Sequence, residues 1–333
     1  MLGQSWPLMN TDTLTPALTP ASSSDLNIVF ATNNPAFSAR LMALMATEYP
    51  QVAVCTPDDP AARHAQVAAC WHPPVDLLQR CPGLQLLQAV SAGVDHLGDI
   101  LMHSGLPVSR VVDEGQQQGM LEYVLWGVLH HQRDFDLALS NQQAKIWQLH
   151  PQRQAGRMRI GVMGLGQLGG FIAARLAGLG YPVSGWAGSR KQIEQVHCYA
   201  GEAERGTFLS SCDLLVNLLP LTTATEAILD ASLFAELPPG AVVMNCGRGE
   251  HLNEQDLIDA LSSGHLRAVV LDVFAQEPLP KGNPLWDQAG VIVTPHMASS
   301  ASGQVMLAQL VENGYRQLAG QPLRNLVDIA KGY

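Results

Sequence analysis

The chain has 333 residues and a formal net charge of −10, with 47% apolar and 14% charged residues. This composition excludes long disordered tracts and allows either two ordinary domains or one large one. Since no basic patch and no apolar run of about 18 residues is present, neither a nucleic acid nor a membrane is expected as a partner. The six cysteines form no CxxC pair and no metal-binding spacing, which indicates free thiols in a cytoplasmic protein without a metal site.

The first 26 residues differ from the rest of the chain. They are rich in Ser, Thr and Pro and contain neither Lys nor Arg. A secretory signal requires a positively charged start and a transit peptide requires Arg, so neither type of leader fits. We expect residues 1–26 to form a flexible tail.

Short apolar runs alternate with amphipathic stretches from residue 27 onward. The pattern predicts strands at 27–32, 52–55 and 66–71 and a helix at 35–49, and two further apolar runs follow at 84–93 and 106–112. Strands separated by helices indicate a parallel sheet with right-handed crossovers.

A long helix is predicted over 119–139, a stretch with large apolar residues on much of its surface. Such a helix is either deeply buried or packed against a second subunit. We therefore expect a homodimer.

A second alternating series begins at Arg157, with six strand candidates that indicate a doubly wound sheet. Its first strand leads into the glycine pattern Gly164, Gly166 and Gly169, followed by a helix. In a dinucleotide site these glycines permit a tight turn, the approach of the pyrophosphate and close helix packing. The free amides around Gln167 and Leu168 are then expected to face the anion. A methyltransferase with a Gly-rich loop is the main competitor at this point.

The stretch GWAGSRK, residues 185–191, ends the second strand of this series, where an NAD-binding protein usually carries an acidic residue. An acidic side chain would repel a 2′-phosphate, and Ala187 has none. Ser189, Arg190 and Lys191 offer phosphate-binding groups instead, which favours NADP(H), with NAD(H) as the alternative cofactor. A solvated surface turn is the other interpretation of this stretch.

Three ionisable residues follow later strands of the series, at the sheet edge where ligands bind: Arg248, Glu277 and His296. Reduction of a keto acid needs such a set. A cation binds and polarises the substrate, a protonated His donates to the carbonyl oxygen, and a carboxylate keeps that His charged. We predict these residues as the catalytic group.

Taken together, these patterns resemble the D-isomer-specific 2-hydroxyacid dehydrogenase family. The resemblance runs from about Asn27 to the last residue, and the order and spacing of the Arg, Glu and His residues match the family. The sequences that carry it are VSAGVDH (90–96), GLGQLG (164–169), NLLPLTTAT (217–225), NCGRGEHLNEQDLIDAL (245–261), LDVFAQEPLP (271–280) and VTPHMA (293–298). Within the family, WHPPVDLL (71–78), GWAGSRK and PLPKGNPLW (278–286) are similar to the bacterial glyoxylate/hydroxypyruvate reductase A group.

The resemblance implies roles for further residues. Arg248 would contact both the carboxylate and the carbonyl of the substrate. The backbone amides of Gly93 and Val94 would receive the same carboxylate, and Trp71 would form a wall of the substrate pocket. Asp272 would accept a hydrogen bond from the nicotinamide carboxamide. The remaining cofactor groove would be lined by Leu219, Thr225 and Cys246.

Two positions depart from the glyoxylate/hydroxypyruvate reductase A group. That group has a Ser and an additional Arg where this chain has Ala187 and Gly188, which implies weaker discrimination between the two cofactors. It also carries an Arg six residues after His296, where this chain has Ser302.

The predicted fold is therefore a two-domain α/β enzyme built on doubly wound parallel sheets. A flavodoxin-like substrate domain spans 27–109 and 300–333, and a Rossmann-type dinucleotide domain spans 110–299. The expected reaction is NADPH-dependent reduction of a small 2-keto acid, glyoxylate or hydroxypyruvate. The alternatives are a related dehydrogenase with a larger or NAD-linked substrate, and a non-catalytic dinucleotide sensor.

Overall fold

The computed structural model describes residues 26–332. The tail expected at 1–26 lies outside this range except for its last residue. Leu26 is fully buried and packs in the apolar core around Ile28 and Phe30, so the ordered fold includes it.

The first sheet consists of five parallel strands. These are β1 (Asn27–Thr32), β2 (Ala53–Cys55), β3 (Val67–Trp71), β4 (Leu86–Ala89) and β5 (Val108–Ser109). The helices between them are α1 (Pro35–Glu48), α2 (Leu77–Arg80) and α3 (Asp99–His103). The strand order β2-β1-β3-β4-β5 is that of flavodoxin-like sheets, as predicted.

Local sequence explains how the first helix begins. Asn34 caps α1, because its side chain accepts a hydrogen bond from the backbone N–H of Phe37 at 3.0 Å. Pro35 occupies the first helical position, where its missing N–H costs nothing. The strand before it, β1, has four successive buried residues, as expected when helices cover both faces of a parallel sheet.

The segment predicted as one helix over 119–139 forms two. They are α4 (Glu114–Gln132) and α5 (Phe135–Ala144). The break falls at Asp134, whose φ of 54° lies in the left-handed region that Asp tolerates better than most residues. The Asp134 carboxylate also forms an ion pair with Arg267 at 2.8 Å, which fixes the break against the second sheet.

The second sheet has seven parallel strands rather than the six predicted. They are β6 (Ile160–Met163), β7 (Val183–Ala187), β8 (Val196–Ala200), β9 (Leu214–Asn217), β10 (Ala241–Asn245), β11 (Leu266–Leu271) and β12 (Val291–Val293). The helices are α6 (Gln167–Gly178), α7 (Glu202–Leu209), α8 (Ala231–Glu236) and α9 (Glu254–Ser262). The missed strand, β8, is a half-exposed edge strand, so it lacks the apolar run of the central strands.

The order of this sheet is β12-β11-β10-β9-β6-β7-β8, a Rossmann-type arrangement with an added strand. From β6 the sheet grows in one direction through β7 and β8, and from β9 it grows in the opposite direction through β10, β11 and β12. Ligands bind at such a switch point, here between β6 and β9. The glycine pattern follows β6 directly, so the topology places it at this point.

A last helix, α10 (Gly303–Leu318), returns to the first sheet. Its Leu307 and Leu310 are fully buried in the same core as Phe30 of β1. The two sheets thus have separate cores, as a two-domain chain requires. The boundaries at 109/110 and 299/300 stay a prediction. Among residues 26–332, no helix has the length and apolar character that crossing a membrane requires.

The chain crosses between the two sheets twice, after β5 and after β12, and hydrogen bonds join the two crossing segments. The carboxylate of Asp113, in the first crossing, accepts a hydrogen bond from the backbone N–H of Ser302, in the second, at 2.8 Å. The hydroxyl of Ser299 donates to the carbonyl of Gln116 at 2.5 Å. The two crossings are therefore linked to each other by hydrogen bonds.

Candidate active site

A cavity of about 610 Å³ lies between the two sheets and receives residues from both. Most of the predicted site residues line it. They are Trp71, Gly93, Val94, Gly164, Gly166, Gln167, Leu168, Gly169, Ser189, Lys191, Leu219, Cys246, Arg248, Asp272 and His296. Glu277 contacts this set through His296, whereas Arg190 and Thr225 do not line the cavity.

The glycine loop after β6 has the geometry of a nucleotide cradle. Gly164 has a φ of +94°, and a Cβ there would lie 2.6 Å from the carbonyl oxygen of Leu218. A Cβ on Gly169 would lie 1.7 Å from the carbonyl oxygen of Gly164, so any side chain would force the helix away. A Cβ on Gly166 would meet nothing within 4 Å. The open space at Gly166, facing the first amides of α6, fits a pyrophosphate.

His296 and Glu277 form a hydrogen-bonded pair at the edge of the cavity. The distance between His296 Nδ1 and Glu277 Oε2 is 2.8 Å, and the other Glu277 oxygen accepts from the backbone N–H of Phe274 at 3.0 Å. The hydrogen bond to Glu277 raises the pKa of His296. Burial opposes ionisation of Glu277, but the hydrogen bonds from His296 and from the Phe274 backbone, together with nearby positive charge, outweigh it, and the pKa of Glu277 is lowered. The pair therefore favours a charged imidazole whose Nε2 remains available.

The backbone around His296 is held in a strained conformation. Its φ is +51°, a value that non-glycine residues seldom adopt. Its N–H donates to the carbonyl of Asp272 at 2.8 Å. The Asp272 carboxylate accepts from the backbone N–H groups of Met297 and Ala298, each at 2.9 Å. Asp272 thus anchors the loop that presents the imidazole, in addition to the cofactor contact that the resemblance implies.

Arg248 follows β10 and reaches across the cavity to the first sheet. Its Nε lies 3.0 Å from Oδ2 of Asp95, and its Nη2 lies 2.9 Å from Oδ1 of the same carboxylate. Burial alone would raise the pKa of Asp95, but the Arg248 guanidinium lowers it below its usual value. The remaining Arg248 nitrogen, Nη1, donates to the carbonyl of Gly247 at 2.8 Å.

A buried polar network holds the Arg248 backbone. The Nδ1 atom of His251 accepts from the backbone N–H of Arg248 at 3.1 Å and from the Asn217 amide at 2.9 Å. The Asn245 amide donates to the carbonyl of Arg248 at 2.9 Å. Burial lowers the pKa of His251 to about 4, so the ring is neutral near pH 7 and accepts at Nδ1. Both peptide groups of Arg248 are therefore fixed.

The GWAGSRK stretch divides into residues that line the cavity and one that does not. Ala187, Gly188, Ser189 and Lys191 lie on its wall. The guanidinium of Arg190 is turned away, because it forms an ion pair with Glu204 and donates to the carbonyl of Cys198 at 2.7 Å. Ser189 and Lys191 are therefore the residues of this stretch that can reach a bound phosphate without rearrangement.

Four further predicted residues have defined positions. Trp71 lies at the end of β3 and packs on the ring of His96, with 4.5 Å between centroids. Thr225 contributes to a turn instead of the groove, since its hydroxyl donates to the carbonyl of Pro220 at 2.7 Å. Leu219 and Cys246 line the cavity from adjacent strand ends.

Sequence reasoning missed several residues that shape the site. Asp95 lies in the VSAGVDH motif, but nothing in the motif indicates that its carboxylate meets Arg248. Asn217 and Asn245 had a readable signal, because each ends an apolar strand and the two are register partners in neighbouring strands. Arg110, a second arginine in the cavity, has no such signal. Among residues 26–332, no group of His, Cys, Asp and Glu side chains is placed to hold a metal.

Comparison with known proteins places this geometry in a family. Residues 125–298 match the family model described as D-isomer specific 2-hydroxyacid dehydrogenase, NAD binding domain. A glyoxylate/hydroxypyruvate reductase A from Serratia proteamaculans is 38% identical, over 92% of this chain and all of that protein.

Two solved structures extend the similarity to three dimensions. A D-isomer specific 2-hydroxyacid dehydrogenase family protein from Klebsiella pneumoniae is 52% identical, with a TM-score of 0.88 over 93% of this chain and 99% of that one. An NADPH-dependent glyoxylate/hydroxypyruvate reductase from Sinorhizobium meliloti, solved with NADP and sulfate, is 32% identical. Its TM-score is 0.85, over 93% of this chain and all of that chain.

Proposed function

The chain belongs to the D-isomer specific 2-hydroxyacid dehydrogenase family, and on this premise we propose that it reduces short 2-keto acids with NADPH. The proposed reactions are glyoxylate to glycolate and hydroxypyruvate to glycerate. One observation carries the proposal: the 2.8 Å hydrogen bond between His296 and Glu277, at a cavity that Arg248 also lines. A binding module has no need of an acid held in this way.

His296 is the proposed general acid. Its Nδ1–H donates to Glu277, which leaves the proton on Nε2 for the substrate carbonyl oxygen. The raised pKa of His296, caused by the hydrogen bond to Glu277, favours retention of this proton. Bound NADPH would supply the hydride to the carbonyl carbon.

Arg248 is the proposed electrophile next to the substrate oxygen. His251 and Asn245 fix its backbone, and the carboxylate of Asp95 holds its guanidinium, so the guanidinium is already oriented before substrate arrives. The backbone amides at Gly93 and Val94, on the opposite wall, are the proposed receptors of the substrate carboxylate.

The cofactor preference is proposed as NADPH over NADH. The wall at Ala187 carries no acidic side chain that would repel a 2′-phosphate, and Ser189 and Lys191 lie beside it. The proposed preference is modest, because Arg190 is engaged with Glu204. NADH is the alternative cofactor.

The decisive experiment measures initial rates with glyoxylate and with hydroxypyruvate, each with NADPH and with NADH. Faster turnover of both keto acids with NADPH supports the proposal. Turnover with NADH alone removes the cofactor preference and leaves the reaction class. No turnover with any pair, and none with larger 2-keto acids, makes a dinucleotide sensor the better description.

A homodimer in the cytoplasm completes the proposal. Large apolar side chains are exposed on α4, α5 and the segment after them: Trp126, Leu129, Phe135, Leu139, Trp147 and Leu149. Such a concentration of exposed apolar side chains is typical of a protein interface. Light scattering should give twice the chain mass of 35.8 kDa, and a value of 35.8 kDa would reject the dimer.

All six cysteines are free, as in a reducing compartment.

A further inference from the structure

Arg110 is a second arginine in the cavity, and its surroundings differ from those of Arg248. It follows β5 and lines the same wall as Gly93 and Val94. Its Nη1 donates to the carbonyl of Ala92 at 3.3 Å. Within residues 26–332, no carboxylate lies within the 4.0 Å of an ion pair from its guanidinium.

Two pairs of opposite charges also lie at this cavity, and each is balanced within itself. The Arg248 guanidinium is paired with the carboxylate of Asp95 at 2.9 Å. His296 is paired with Glu277 at 2.8 Å. A monoanionic substrate that approached only these two pairs would find no net positive charge.

Two carboxylates also line the cavity, and both are occupied by other donors. Asp113 accepts backbone hydrogen bonds from Gly115 and Ser302, each at 2.8 Å. Asp272 accepts from Thr294 Oγ1 at 2.6 Å and from backbone N–H groups of the His296 loop. Neither carboxylate forms an ion pair with Arg110.

The backbone fixes Arg110 beside the loop predicted to bind the substrate carboxylate. Its N–H donates to the carbonyl of Asn325 at 3.0 Å, and the next residue, Val111, donates to the carbonyl of Ser91 at 2.9 Å. The side chain is half-buried. Burial lowers the pKa of Arg110 from its ordinary value, and no acidic group among the described residues offsets this. Guanidinium groups nevertheless stay charged in proteins, so an anion is the missing partner.

We propose that Arg110 is the counter-ion of the substrate carboxylate, and that Arg248, balanced by Asp95, acts on the keto oxygen. This assignment rests on the proposed function. The two arginines would then have different roles. Arg110 would bind the carboxylate equally in the ground state and the transition state, and Arg248 would contact the oxygen on which negative charge develops.

A kinetic comparison tests the assignment. Arg110→Gln should raise the KM for glyoxylate about tenfold to a hundredfold, the range for a charge-assisted hydrogen bond, with kcat little changed. The KM of Arg110→Lys should lie between those of wild type and Arg110→Gln, because an ammonium keeps the charge and loses the planar fork. The matched control is Arg63→Gln, since Arg63 is an exposed arginine in the 3₁₀ turn between β2 and β3 and its replacement should leave both constants unchanged. A lowered kcat with an unchanged KM would indicate that Arg110 only supports the Ala92 loop, and would overturn the proposal.

Direct binding separates this proposal from the proposed function. Oxamate, a non-reducible monoanion shaped like a short 2-keto acid, is titrated into the NADPH-loaded protein by calorimetry. Wild type should bind it, and Arg110→Gln should bind at least tenfold more weakly, with unchanged affinity for NADPH. If wild type binds oxamate through Arg110 but does not reduce glyoxylate, the reaction is wrong and the anion site stands. Equal oxamate affinity in wild type and Arg110→Gln overturns the site; if that variant does not fold, equal affinity in Arg110→Met, a second neutral replacement of similar length, does the same.

Discussion

Asp95 and Arg248 join the two sheets through a bidentate ion pair, with Nε–Oδ2 and Nη2–Oδ1 distances of 3.0 and 2.9 Å. The carboxylate comes from the loop after β4 and the guanidinium from the loop after β10. The pair is only partly exposed, so solvent screens it less than a surface pair. It holds the guanidinium over Gly93, where a Cβ would lie 2.0 Å from Nη2.

Asp95→Asn should lower kcat/KM for glyoxylate about tenfold, since a neutral amide no longer orients Arg248 or completes its bidentate contact. Steady-state kinetics at saturating NADPH measures this effect. Asp99→Asn, a change of the same kind at an exposed position in the same segment, is the control. Equal losses in the two variants would show that the ion pair has no role in the reaction.

His296→Ala should lower kcat by about 10²–10⁴, the usual contribution of a positioned general acid. The affinity for NADPH, followed by nicotinamide fluorescence, should change little, because the glycine loop and Lys191 are untouched. Turnover near the wild-type rate would remove His296 from the mechanism.

Glu277→Gln should shift the pH profile of reduction. Glu277 raises the pKa of His296, so the acid form that reduction needs persists to higher pH in wild type. Loss of the carboxylate lowers this pKa, and activity should then fall off at lower pH than in wild type. The profile of kcat/KM between about pH 5 and 9 measures the shift. An unmoved falling limb contradicts the pairing.

Lys191→Gln should raise the KM for NADPH and leave the KM for NADH unchanged, because Lys191 lines the cavity and only NADPH carries the 2′-phosphate. The expected change is about tenfold, as for one charge-assisted contact. Arg190→Gln should have a smaller effect on the ratio of the two KM values, since Arg190 is paired with Glu204. The reverse ranking would mean that cofactor binding turns Arg190 into the cavity.

The sequence was most informative where one local pattern determines the structure. The strand, the three glycines and the helix that follows them specify a phosphate cradle, and Gly164 and Gly169 lie where a side chain would collide with backbone. The placement of His296 beside Glu277 also follows from spacing and strand ends.

Contacts between segments distant in the sequence could not be predicted from local patterns. The pair of Asp95 and Arg248 joins residues 153 positions apart, and each has ordinary neighbours in sequence. The direction of Arg190 depends on Glu204, which belongs to a different element. The break at Asp134 depends on its ion pair with Arg267 in the second sheet. Such features arise from tertiary structure, and local propensity does not encode them.

The bonds between the two crossing segments restrict how the halves of the molecule move. A sliding motion of one sheet past the other would break both the Asp113–Ser302 and the Ser299–Gln116 hydrogen bonds. A rotation about the line that joins the two crossings preserves them. Residues close to this line, such as Arg110, shift little in such a rotation, whereas residues at the far rim of the cavity travel furthest. Ligand binding should therefore change the angle between the two halves of the molecule. The distance between two spectroscopic labels placed on opposite rims of the cavity would report this change most sensitively.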